Sequence, residues 1–188
     1  MGLPKRDNAR YTYGEYLIWP EDARYEIVEG TAYAMAPAPT RLHQTFVGEL
    51  YRQAANALKG TQCQPYVAPT DVRLPRPGHS DEETDTVVQP DLLVVCDAAK
   101  LDDRGVRGAP DWIVEVLLPA TASHDQIIKL AAYERSGVRE VWLVHPSDRV
   151  VSVYLLDNGI YGRANIRELE GTLAVASIPG LTIDWGQL

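Results

Sequence analysis

The sequence predicts an α/β or α+β domain in which a mixed central β-sheet is flanked by helices. Three observations carry this. Apolar runs of strand length occur at residues 92–96, 112–118 and 140–144. Helical spacing of apolar residues follows Thr40 and recurs after Ser123. Strand-like and helix-like stretches then succeed one another with no repeat, charge run or Ser-rich linker to mark a second domain. With 188 residues and 45% hydrophobic composition, one domain over residues 1–188 is expected, its core at about 11–161 and its C-terminal strands running on to 188.

Each element has a local cause. Thr12-Tyr13-Gly14-Glu15 matches a capping box, so a short helix begins there and stops near Pro20. Residues 25–35 read as strand, with Gly30 at a turn or bulge. Thr40 caps a helix whose apolar stripe is Leu42, Phe46, Leu50, Ala54, Ala57 and Leu58, with Gly60 ending it. Residues 66–74 and 87–96 are antiparallel strand candidates, and the polar connector 75–86 between them reads as a mobile loop. A second loop spans about 98–110. Residues 112–118 form a buried strand, and Ser123 with Gln126 opens a helix ending at Gly137. A strand over 138–145 follows, then short strands with turns at Asp157-Asn158-Gly159 and Glu170-Gly171.

A net charge of −8 and a pI near 5.0 argue against a surface coated in basic residues, while leaving room for a local basic cleft. The two cysteines, Cys63 and Cys96, lie beside strand-like runs and read as buried free thiols, with no metal-thiolate spacing. No apolar leader or membrane-length window is present, so a cytoplasmic protein without membrane association is expected.

Glu115 is the residue that points to chemistry. It interrupts Trp-Ile-Val-Glu-Val-Leu-Leu, where an ionised carboxylate is costly unless a cation or metal meets it. Asp91 opens another apolar strand in the same way. After the Glu115 strand, Asp125, Lys129 and Tyr133 share one helix face. Asp91, Glu115 and the Val116 carbonyl are suitable hard oxygen donors for Mg²⁺ or Mn²⁺, and Lys129 would orient a nucleophile or add positive charge. The alternative is a Glu115–Lys129 ion pair without catalysis. It predicts the same contact.

Taken together, Tyr25-Glu26-Ile27-Val28-Glu29-Gly30, Val88-Gln89-Pro90-Asp91-Leu92, Ala109-Pro110-Asp111-Trp112-Ile113-Val114-Glu115-Val116-Leu117, Asp125 to Lys129 and Gly137-Val138-Arg139-Glu140-Val141-Trp142 resemble the Uma2 family of the PD-(D/E)XK restriction-endonuclease-like superfamily. The resemblance implies a restriction-endonuclease-like core, with Asp91 as the motif aspartate and Glu115 as the acid of the D/E-X-K element. It implies a metal-dependent nuclease acting on nucleic acid, DNA more than RNA, and a homodimer. The lysine position of that element falls on Leu117, and Lys129 on the following helix is the residue that fits. Leu118-Pro119-Ala120-Thr121 stands where relatives typically read Ser-Pro-Ser-Thr. Beside this pattern, Glu26 and Glu29 are candidate acids, and His43, Asp71 and Asp125 candidate auxiliary groups. The rival expectation is a catalytically silent scaffold used for dimerisation or nucleic-acid binding.

Overall fold

The computed structural model describes residues 9–20, 24–35, 38–117 and 124–188. Helix α1 (Tyr13–Tyr16) opens with the Thr12 N–H donating to Glu15 Oε2 at 2.9 Å, half of the capping-box exchange. Strands β1 (Tyr25–Val28) and β2 (Thr31–Ala34) form a hairpin whose turn residues, Glu29 (φ 50°) and Gly30 (φ 78°), are both left-handed. Thr40 caps α2 (Arg41–Ala57) by accepting from the His43 N–H at 3.3 Å.

Next come β3 (Gln64–Val67), β4 (Val72–Arg73), β5 (Val87–Val88), β6 (Leu92–Val95), β7 (Leu101–Asp102), β8 (Gly105–Arg107) and β9 (Trp112–Val116). A π-helical turn, His124–Lys129, runs into α3 (Leu130–Ser136), which ends at left-handed Gly137. Strands β10 (Glu140–His145), β11 (Val150–Asp157), β12 (Ile160–Tyr161), β13 (Asn165–Glu168), β14 (Thr172–Ala174) and β15 (Thr182–Asp184) complete the order.

The strands form two main sheets and a hairpin. One sheet runs β2-β1-β5-β4-β8-β7, the other β12-β11-β10-β9-β6-β3 with β13 also on β11, and β14 pairs β15. The larger sheet is mixed, because β9 and β10 are parallel while β6 and β11 run against them. The stretches expected as single strands at 66–74 and 87–96 each divide between the sheets: β3 joins β6, and β4 joins β5. Prolines 69 and 90 stand at the breaks, where the missing N–H ends a ladder. The two sheets therefore meet at Gln89 to Asp91.

Side-chain alternation along β6 and β9 feeds two cores. Leu92, Val94, Trp112 and Val114 pack with Phe46, Leu50 and Ala54 of α2. On the opposite face Leu93, Ile113 and Val141 pack with Ala132 and Tyr133 of α3.

Three expectations are corrected. The stripe of α2 is rotated, with His43, Val47 and Gln53 buried while Leu42 is 45% exposed and Ala57 is also exposed. The connector 75–86 is pinned, not loose. Thr84 and Thr86 are fully buried, and Asp81 reaches the buried Arg73 guanidinium at 2.6 Å, a contact that the buried charge requires. Cys63 and Cys96 are disulfide-bonded rather than free, because the β3–β6 register opposes Gln64 to Val95 and sets the next residues outward face to face. Among the described residues no helix is long and apolar enough to cross a membrane.

Candidate active site

The β6–β9 register opposes Leu92 to Val114 and so brings Asp91 to the level of Glu115, at the junction of the two sheets. Around these acids the side chains form two adjoining clusters.

The first is centred on Lys129. Its ammonium lies 2.6 Å from Glu115 Oε1 and 3.0 Å from Glu26 Oε1, and all three side chains are buried, at 4%, 3% and 8% exposure. Tyr133 donates to the same Glu115 oxygen at 2.6 Å, and the Gln89 N–H donates to Glu26 Oε1 at 2.7 Å. Burial first, then the Glu115 charge, push the Tyr133 phenol well above its ordinary range, so it stays a neutral donor. Two buried carboxylates thus share one buried cation, and neutral donors take up part of the remaining negative charge.

The second cluster holds Asp91. Its Oδ2 accepts from the Val116 N–H at 2.8 Å and lies 3.1 Å from His43 Nε2. His43 is itself buried, projecting from the first turn of α2, and its Nδ1 has no hydrogen-bond partner among the described residues. Since N–H and C=O of one extended residue leave a strand on the same edge, the Val116 carbonyl belongs to the Asp91 side of β9. The clusters adjoin through the chain itself, Gln89 lying near Asp91 and Glu115 preceding Val116.

Other candidates fall elsewhere. Glu29, at the hairpin tip, is 54% exposed and pairs with Arg135 and Arg76, away from Lys129. The tight left-handed turn separates it from Glu26, which lies within the strand. Asp71 reaches the first cluster indirectly, accepting from Gln89 Nε2 at 2.8 Å. Asp125 and residues 118–121 lie outside the described side chains, as does the Ser123 cap. Leu117 is 5% exposed in the α3-side core, on the same strand face as Glu115. A lysine there would need its own buried counter-charge. Lys129 supplies the cation from a different element.

The donor set suits a hard cation. Asp91, Glu115 and the Val116 carbonyl offer oxygens alone, as Mg²⁺ or Mn²⁺ prefer. Among the described residues no three His, Cys, Asp or Glu side chains form a ready cage, so water would complete a shell built on two carboxylates and a carbonyl. Tyr133 and Gln89 are the members that sequence reasoning left out of the site. Tyr133 was signalled by its four-residue step from Lys129. Gln89 carried no signal, because its contribution to Glu26 is a backbone N–H.

No curated protein matches the chain. A solved structure described as "a putative nuclease belonging to DUF820 from Anabaena variabilis ATCC 29413" superposes with a TM-score of 0.73 at 19% identity, covering 94% of this chain and 96% of that one. It shows the shared restriction-endonuclease-like α+β fold. The model of the Uma2 family, described as "Putative restriction endonuclease", matches residues 13–186, and the chain belongs to the Uma2 family.

Proposed function

We propose that this protein is a divalent-metal-dependent nuclease that hydrolyses phosphodiester bonds of nucleic acid, DNA in preference to RNA, in the cytoplasm and as a homodimer. The observation that carries the reading is the buried Lys129 ammonium held between Glu26 and Glu115, with Asp91 at the level of Glu115 on the neighbouring strand. Mg²⁺ or Mn²⁺ on Asp91, Glu115 and the Val116 carbonyl would supply an activated water and charge compensation at phosphorus. The chain's own groups do the positioning. Tyr133 and Lys129 fix one Glu115 oxygen, the Val116 N–H and His43 fix Asp91, and the Lys129 charge offsets part of the negative charge gathered at the site.

The test is cleavage of single- and double-stranded DNA and RNA by purified protein with Mg²⁺ or Mn²⁺, alongside calorimetric titration of the metal. Cleavage and metal binding are both expected, and Asp91→Ala should abolish both. No cleavage of any substrate, with no metal binding that depends on Asp91, would sink the proposal. Light scattering tests the dimer.

A second reading, a silent scaffold, is favoured by one observation. Glu26, Lys129, Glu115 and Tyr133 already satisfy one another, as a structural ion network would. Stability coupling between Glu115 and Lys129 without any cleavage would select it.

A further inference from the structure

Next to the Lys129 cluster the surface opens into a cleft of about 420 Å³, within the size range of small-ligand sites. Gln89 belongs to both places. Its N–H holds Glu26, and its side-chain amide reaches Asp71 Oδ1, inside the cleft, at 2.8 Å. The other principal lining groups are Tyr16, Asp102, Asp103 and Arg104.

This lining is unlike a phosphate site. Three aspartates would repel a phosphate, and Arg104 is shared with Asp81, 3.8 Å away. An aromatic ring beside a carboxylate suits a flat ring with N–H groups on its edge. Tyr16 is braced by neighbouring rings, Tyr13 at 5.9 Å and Trp19 at 5.5 Å between centroids. Asp71 is equally fixed. Its carbonyl accepts from the Val106 N–H at 2.8 Å, and a Cβ on Gly105 (φ 114°) would lie 2.4 Å from that oxygen. Its carboxylate is hydrogen-bonded to Tyr16, and burial raises it above the ordinary carboxylate range. Such a desolvated acceptor gains most from a donor that excludes water.

We propose that this cleft receives an unpaired nucleobase of the strand whose phosphodiester lies at the Asp91–Glu115 site, with the base against Tyr16 and its N–H edge on Asp71. The inference rests on the nuclease reading and narrows its substrate to single-stranded or locally unpaired nucleic acid. A paired base has its edge occupied and its faces stacked, so a duplex offers the cleft nothing without base flipping.

The experiment uses the full chain in chelator, so that cleavage is suppressed, with a single-stranded DNA oligonucleotide carrying 2-aminopurine and the blunt duplex of the same sequence. Tighter binding and fluorescence quenching are expected with the single strand. Tyr16→Ala should weaken single-strand binding by about 5- to 150-fold, the loss of one base–aromatic stack. Tyr16→Phe, which keeps the ring and loses the bond to Asp71, should weaken binding less than Tyr16→Ala, Asp71→Asn should weaken binding, and circular dichroism checks that each variant folds. Equal affinity for duplex and single strand, or unchanged single-strand affinity in folded Tyr16→Ala and Asp71→Asn, would overturn the proposal. Cleavage assayed separately with Mn²⁺ keeps the readings apart. Active enzyme without single-strand preference overturns the cleft alone, whereas single-strand preference without cleavage supports the cleft and removes the nuclease.

Discussion

Replacing Lys129 by methionine keeps the aliphatic stem and deletes the charge. The ammonium stands 2.6 Å from Glu115 and 3.0 Å from Glu26, with none of the three side chains more than 8% exposed, so water cannot take its place without disturbing the core. Breaking a buried pair by removing one partner costs about 3–5 kcal/mol. Here one deletion takes the same cation from two carboxylates at once, so the upper end of that range is expected. Against a typical domain stability of about 5–15 kcal/mol, Lys129→Met should remain folded but shift the urea midpoint steeply at pH 7. Adding Glu115→Gln should recover part of the loss, since glutamine carries no charge and can still accept from Tyr133. A Lys129→Met cost below about 1 kcal/mol, the level of a solvated surface pair, would refute the reasoning.

Tyr133→Phe removes a buried hydrogen bond to a charged group and should cost about 1.5–3 kcal/mol in urea unfolding; a change within error would mean that Lys129 alone holds Glu115. Alkaline stability should fall. Tyr16 is pushed up to about 12 and Tyr133 well above the usual 10.0, both chiefly by burial. A phenol raised in the folded state gives stability that is complete below its unfolded value near pH 10 and is lost as pH climbs through the folded value. Urea midpoints should therefore decline between pH 10 and 12, and a flat profile there would contradict the burial of these rings. The Cys63–Cys96 bond closes a loop with a sequence separation of 33, so reduction or Cys63→Ser should cost about 3–4 kcal/mol on loop entropy. Intact-mass measurement after alkylation without reductant should find no modified thiol, and two modified cysteines would disprove the bond.

Much of this architecture can be read from residues because single positions were physically expensive. Glu115 inside an apolar strand demanded a cation, and Lys129 one helix later was the residue in reach. Thr40, Gly30 and Gly137 announced a cap, a turn and a helix end by backbone chemistry that does not depend on the rest of the molecule. What escaped was relational. The division of 66–74 and 87–96 between two sheets depends on strand partners distant in sequence, and so does the meeting of Cys63 with Cys96. The pinned 75–86 connector looked too polar to pack because its partner, Arg73, is a charge buried in the core, which composition cannot reveal. Between Glu26 and Glu29 the sequence was nearly silent, and the hairpin turn at Glu29 and Gly30 made the distinction.

The origin of the cation also bears on how the protein is made. Asp91 and Glu115 leave the ribosome before Lys129, so a nascent chain ending just past β9 holds both acids without the ammonium that neutralises them. A lysine two residues after Glu115 would have travelled with its acid. Here the pairing waits until the π-helical turn that carries Lys129 has been translated, and a polypeptide terminated before it lacks the ammonium. Whatever work the network performs is reserved for chains finished at least to that turn.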